Sequence, residues 1–95
     1  MPKGENNEVS TEDVAEQTRL VFEEINAILK QVGATLDNVV KAVIYLKDIK
    51  DFDIVSPIRA EYFKNAMPVS TMVEVEGFVR SGSKIEIEVT AILEK

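Results

Sequence analysis

The sequence predicts a single α+β domain with two helices on one face of a small sheet. Three observations point there. A long stretch after position 10 repeats apolar residues at helical spacing, three later stretches alternate apolar and polar residues, and a shorter helical pattern separates the first of these from the second. The order helix, strand, helix, strand, strand fits α+β or a small α/β sandwich. A chain of 95 residues makes one domain, spanning 1–95. At that size only about 60–65% of the unfolded surface is buried, so the core has little margin.

Residues 1–9, MPKGENNEV, are polar and predict a loop or a disordered lead-in. Ser10 stands where a helix cap belongs, and Asp13 takes the place of the usual Glu or Gln of a capping box. Val14, Val21, Phe22, Ile25, Ile28, Leu29 and Val32 then form one apolar stripe, with Glu12, Glu16, Glu23 and Lys30 largely away from it. Arg19 and Glu23 are spaced to pair along the helix. Gly33 supplies the stop, since glycine takes the left-handed conformation at little cost. The helix is thus predicted over Ser10–Val32.

The stretch ATLDN is a turn, and Val39–Lys47 is β-rich. Val40, Ala42, Ile44 and Leu46 fall on one face; Lys41, Val43, Tyr45 and Lys47 fall on the other. That second face is half apolar, which suits packing against something besides solvent. Phe52, Val55, Ile58 and Tyr62 share a helical side, but Pro57 would remove a backbone bond from a helix begun at Asp51 or Asp53. Ser56 as cap and Pro57 as first helical residue predict a short turn over 51–55 and a helix over about 57–65.

Val69–Glu76 alternates Val69, Thr71, Val73 and Val75 against Ser70, Met72, Glu74 and Glu76. Lys84–Leu93 alternates Ile85, Ile87, Val89, Ala91 and Leu93 against Lys84, Glu86, Glu88 and Thr90. Each has a clear apolar face, and GFVRSGS links them as a flexible loop. Three strands make a thin sheet, as though a strand–helix–strand unit lacked its first strand.

The net charge of −6, from 17 acidic and 11 basic residues, argues against general nucleic-acid affinity, which depends on neutralising phosphates. With no histidine and no cysteine, imidazole and thiol chemistry and the corresponding metal sites are excluded. Carboxylate, lysine, tyrosine or water must do any acid–base work. No stretch approaches a membrane span and the first nine residues lack a signal-peptide core, so the expectation is a soluble cytoplasmic protein. Asp48, Asp51 and Asp53 lack the glycine and closing glutamate of a calcium loop, and turn and helix-start roles suffice for them.

Three groups of side chains remain as candidates. Glu86 and Glu88 lie two apart on one strand face, roughly 6.6 Å along the chain. They read either as an acid–base pair or as a solvated face balanced by Lys41, Lys47 or Lys84. Ser70 and Thr71 could bind a carboxylate or simply start a strand. Arg59 and Arg80 could clamp an anion or lie in solvent. Composition and spacing stop there.

The ordered segments go further. EQTRLVFEEINAILKQVGATLDNVVKAVIYLKDIKDF, followed by PVST and IEIEVTAI, resembles the RidA/YjgF family of imine and enamine deaminases, across about Glu5 to Lys95. The resemblance implies a chorismate-mutase-like sheet. It also implies an N-terminal β-hairpin, with a Tyr and a Ser-Gly-Gln segment lining the pocket, after which this sequence is expected to begin. Family members lead a strand with Pro-Ala-Arg-Ser/Thr, whose arginine grips the substrate carboxylate. Aligning Ser70-Thr71 puts Val69 in that arginine's place, and the strand residue after the arginine-serine pair, whose backbone meets ligand, falls on Thr71. The water-positioning glutamate falls on Glu86, and a pocket position often filled by Asn falls on Ser56.

The implied activity is hydrolysis of 2-imino or enamine acids to 2-oxo acids and ammonia, without cofactor or metal. Losing the arginine would remove charged hydrogen bonds worth about 1.5–3 kcal/mol each, or two or more orders of magnitude in efficiency. Turnover is therefore expected to be weak or altered, unless Arg59 or Arg80 takes over. The expected partners are a small-molecule ligand and two further copies in a homotrimer, with pockets at the interfaces and the Val43 and Tyr45 face in contact; neither nucleic acid nor membrane is expected. A non-catalytic trimer that binds a ligand or serves as a scaffold is the alternative. A ribonuclease or translation-inhibitor role is weaker, given the acidic charge.

Overall fold

The computed structural model describes residues 13–93, so the expected loop over 1–9 and the expected cap at Ser10 lie outside the described residues. The first helix, α1 (Val14–Gln31), starts later than predicted. Asp13 is still extended and acts as the cap itself: its carboxylate accepts from the N–H groups of Ala15, at 2.8 Å, and Glu16, at 3.3 Å. The other end closes as expected. Gly33 sits at φ 82°, its N–H donates to the Lys30 carbonyl, and the Ala34 N–H donates to the Leu29 carbonyl. That is the paired reversal which satisfies the last carbonyls of a helix.

Strand β1 (Val39–Leu46) follows a short 3-10 turn over Leu36–Asn38, capped by Thr35. Ala42, Ile44 and Leu46 are buried as predicted, but Val40 is 43% exposed and Val39 takes its place inside. The cause is a bulge between Val39 and Lys41, which shifts the pairing by one residue and reverses the alternation at the strand's start.

Helix α2 (Phe52–Tyr62) runs straight through Pro57, where the proline was expected to mark the helix start. Its missing N–H leaves the Asp53 carbonyl without its intrahelical donor, and Asp53 is exposed, so water can take that bond. Burial of Val55 and Ile58 on one side outweighs the local penalty, while Phe52, expected on that side, is exposed. Asp48 accepts from the Lys50 N–H in the turn before the helix, which fits the turn role read for it.

The last strands are β2 (Val69–Glu74), shorter than the predicted 69–76, and β3 (Ile85–Ala91). The sheet order is β2-β1-β3, with β1 parallel to β2 and antiparallel to β3. Helix α2 is the crossover that a parallel pair requires. Both helices pack on one face, so the α+β architecture stands, and no strand precedes α1 among the described residues.

Strand β2 is turned over relative to expectation. Ser70 lies beside Ala42 and Met72 beside Ile44, on the helix side, and Met72 packs against the core. Val69, Thr71 and Val73 therefore face outward. The core between helices and sheet centres on Phe22, which stacks on Tyr62 at 4.6 Å between ring centroids and meets Phe63 edge-on at 5.2 Å. Across the helices, Arg19 pairs with Glu61 at 3.5 Å rather than with Glu23, which instead accepts from the Tyr62 hydroxyl at 2.9 Å.

Candidate functional site

Two clefts border the domain, and each gathers some of the candidate residues. The first, about 390 Å³, lies where the end of α2 meets the start of β2, and is lined by Arg59, Phe63, Lys64, Met67, Pro68 and Ser70 among others. Its shape comes from the turn between the two elements. Met67 adopts φ 47°, left-handed backbone that non-glycine residues occupy at a cost of about 1–2 kcal/mol, and its N–H donates to the Phe63 carbonyl. This tight reversal sets Pro68 and β2 beside the helix.

Arg59 is half-buried in this cleft. Its Nη1 donates to Ser70 Oγ at 3.1 Å and its Nη2 donates to Ser56 Oγ at 3.3 Å. The structure thus brings together Ser56, Ser70 and Arg59. Ser56 and Arg59 stand three apart on one helix face, a spacing that lets their side chains meet. That spacing is the signal by which the sequence alone could pair them.

Val69 is not part of this group. It is 73% exposed on the outer sheet face, beside Lys41, and Thr71 lies on the same face beside Val43. Glu86 is also on the outer face, in a row with Tyr45 and Val73, and no hydrogen bond or ion pair engages it among the described residues. Glu88, its neighbour two along, accepts from the Tyr45 hydroxyl at 3.4 Å. The Tyr45 phenol is pushed above its ordinary value, first by desolvation and then by Glu88 and Glu86, so it remains a protonated donor at neutral pH. The two glutamates are therefore not equivalent: Glu88 is tied to Tyr45, and Glu86 is open.

Glu86 and Ser70 lie two strands apart and about three residues out of register, roughly 14 Å between backbones by strand spacing and rise. They also point to opposite faces. One chain therefore does not bring Glu86 to the Arg59 cleft.

The second cleft, about 380 Å³, lies between α1, the loop after β2 and the edge of β3, and holds Arg80 and Glu86 together with Ile25, Ile28 and Phe78. Arg80 already has a partner within the chain. Among the described residues no group of acidic side chains could hold a metal ion. No described helix is long and apolar enough to cross a membrane.

One residue outside every sequence expectation positions this region. Gln17 is 1% exposed on α1; its Nε2 donates to the Gly82 carbonyl at 3.0 Å and its Oε1 accepts from the Lys84 N–H at 2.8 Å. It fastens the loop that leads into β3, two residues ahead of Glu86.

Comparison with known proteins adds to this geometry. The endoribonuclease L-PSP family model matches residues 1–93. A RutC family protein of Saccharolobus solfataricus is 42% identical over 89 residues, covering 94% of this chain and 68% of that protein. Human 2-iminobutanoate/2-iminopropanoate deaminase is 39% identical over 79 residues, 83% of this chain and 57% of its own length. Among solved structures, a Mycobacterium tuberculosis member of the YjgF/YER057c/UK114 family superposes with a TM-score of 0.85 at 39% identity, covering 88% of this chain and 71% of that one.

Proposed function

The chain belongs to the RidA/YjgF family, and from that premise we propose that it hydrolyses small 2-imino acids to 2-oxo acids and ammonia. The observation that carries this reading is the unengaged Glu86 carboxylate on the outer face of β3, where a water molecule can reach it. In the reaction, Glu86 accepts a proton as water attacks the imine carbon. That proton passes to nitrogen to give the carbinolamine; the hydroxyl proton then follows to the amine as the carbon–nitrogen bond breaks, and ammonia leaves a carbonyl behind. Every step uses groups this histidine-free, cysteine-free chain possesses.

The test is a coupled assay in which an amino-acid oxidase generates 2-iminobutanoate. The expected result is loss of the imine faster than in buffer, linear in protein concentration. A rate equal to buffer would sink the reading and leave a binding or scaffold role. The net charge of −6 and the absence of histidine speak against the ribonuclease alternative, because RNA binding depends on phosphate neutralisation.

The reading also involves assembly. The outer sheet face exposes Val69 and Val73 next to Val43 and Tyr45, an apolar patch on a sheet whose edge strands β2 and β3 have no further pairing among the described residues. In the proposed homotrimer this face is covered by neighbouring copies, and Glu86 of one copy meets the Arg59 cleft of another. Light scattering is expected to give three times the 10.6 kDa chain mass. Val69→Arg places a charge in that contact and is expected to shift the protein toward monomer without raising hydrolysis. An unchanged trimer with higher activity would instead place position 69 in the substrate pocket.

A further inference from the structure

We propose that Arg59 is the carboxylate-binding residue of this site, taking a small 2-imino or 2-oxo acid with a short alkyl chain. The inference rests on the deaminase reading for the identity of the acid, but not for the binding itself. Four features of the cleft support it.

The guanidinium is aimed by neutral partners. Ser70 and Ser56 hydroxyls accept from Nη1 and Nη2, and no carboxylate pairs with Arg59 among the described residues. Arginine has five N–H donors, so Nε–H and a second N–H on each terminal nitrogen remain for a ligand. The serine hydroxyls accept from the arginine through oxygen, which leaves their own O–H groups able to donate to the same anion. Planar paired donors of this kind fit a carboxylate.

The local charge runs against the chain as a whole. The protein carries −6, yet among the described residues no Asp or Glu lines this cleft, and Lys64 adds a second cation to it. The rest of the lining is apolar: Ala60, Phe63, Met67 and Pro68. A volume of about 390 Å³ lies in the range of small-ligand pockets. A cationic fork in a cleft otherwise lined by apolar side chains favours an acid with a compact hydrocarbon tail over a free inorganic anion.

The backbone supplies the fourth feature. Ser70 lines the cleft from the start of β2, on the helix side of the sheet, whereas Val69 faces away. Arg59 reaches Ser70 from the neighbouring helix. The guanidinium thus enters the cleft from α2 instead of from the strand.

Titration calorimetry with 2-oxobutanoate, its methyl ester and inorganic phosphate tests this on the full chain. Wild type is expected to bind 2-oxobutanoate saturably, and the ester about tenfold or more weakly, because the ester cannot accept a charged pair of bonds. Arg59→Gln is expected to lose about tenfold or more in affinity, with Arg59→Lys in between, since charge survives but the planar fork does not. Ser70→Ala keeps the charge and loosens only its aim, so a several-fold loss is expected even if Arg59→Gln folds poorly. Arg80→Gln is expected to bind like wild type.

No binding by wild type, equal binding by a folded Arg59→Gln, tighter binding of phosphate than of 2-oxobutanoate, or a loss confined to Arg80→Gln would each overturn the assignment. The deaminase reading fails separately. If binding depends on Arg59 but no imine is hydrolysed, the anchor stands and the enzyme reading falls. If imine is hydrolysed with KM unchanged in Arg59→Gln, the enzyme reading stands and the anchor falls.

Discussion

Glu86→Gln is expected to lower turnover of 2-iminobutanoate by roughly 10²-fold or more while leaving 2-oxobutanoate affinity nearly unchanged. Glutamine keeps the size of the side chain and can still touch water, but it cannot accept the proton that water must lose. The residue sits exposed on β3 with no partner among the described residues, so its replacement breaks no structural contact. Glu88→Gln is the matched comparison. Its carboxylate is occupied by the Tyr45 hydroxyl at 3.4 Å, and the amide oxygen of glutamine can accept the same bond. Its effect on turnover is expected to stay within about fivefold, since general-base catalysis is worth far more than a surface contact. Steady-state kinetics on both variants decides the matter. Equal effects of the two substitutions, or a Glu86→Gln enzyme within a few-fold of wild type, would remove Glu86 from the chemistry.

How much of this was legible in the sequence depends on what each residue had to compete with. Helix α1 and strand β3 were readable because one dominant apolar period runs the length of each, and Gly33 marks a stop that few other residues can make. Strand β2 misled for a definable reason. Its Val69, Thr71 and Val73 look like a core face, but parallel pairing with β1 fixes Ser70 beside Ala42 and Met72 beside Ile44. A one-residue change of register moves every side chain to the opposite face, and alternation alone cannot say which face meets the helices. Apolar residues on both sides of a strand are themselves informative: the outer face of this sheet has something to cover it in the proposed assembly.

Helix α2 misled differently. Pro57 is a strong local signal, and tertiary burial of Val55 and Ile58 overrode it. The overturned helix start also hid the site. Reading Ser56 as a cap assigned its hydroxyl to backbone, whereas within a continuous helix that hydroxyl is available to Arg59 one turn on. The outer-face bulge at Val40 left no readable mark at all, because valine is at home on either side of a strand.

Gln17→Leu is expected to be among the most destabilising single changes in the domain, although glutamine in an amphipathic helix reads as a surface residue. Leucine is close in size, so packing changes little, and the effect isolates the polar contacts. The Gly82 carbonyl and the Lys84 N–H would both lose a buried partner. Leaving a buried backbone group unsatisfied costs about 1–3 kcal/mol; these two contacts are part-buried and Gly82 is exposed, so the pair comes to roughly 2–3 kcal/mol. A domain of this size has about 5–15 kcal/mol in total, and each kcal/mol moves its melting temperature by about 4–8 °C. A drop on the order of 10–20 °C follows, measurable by calorimetry. A local consequence comes with it. Lys84 precedes β3, and the Gln17 contact fixes where that strand enters the sheet, two residues before Glu86. Below its melting temperature the variant is therefore expected to lose hydrolysis more than it loses 2-oxobutanoate binding at Arg59, because α2 and the start of β2 are held by contacts that do not involve Gln17. A melting shift of only a few degrees would mean that water or a rearranged loop satisfies both backbone groups, and equal loss of binding and hydrolysis would mean that the two clefts are coupled through the core.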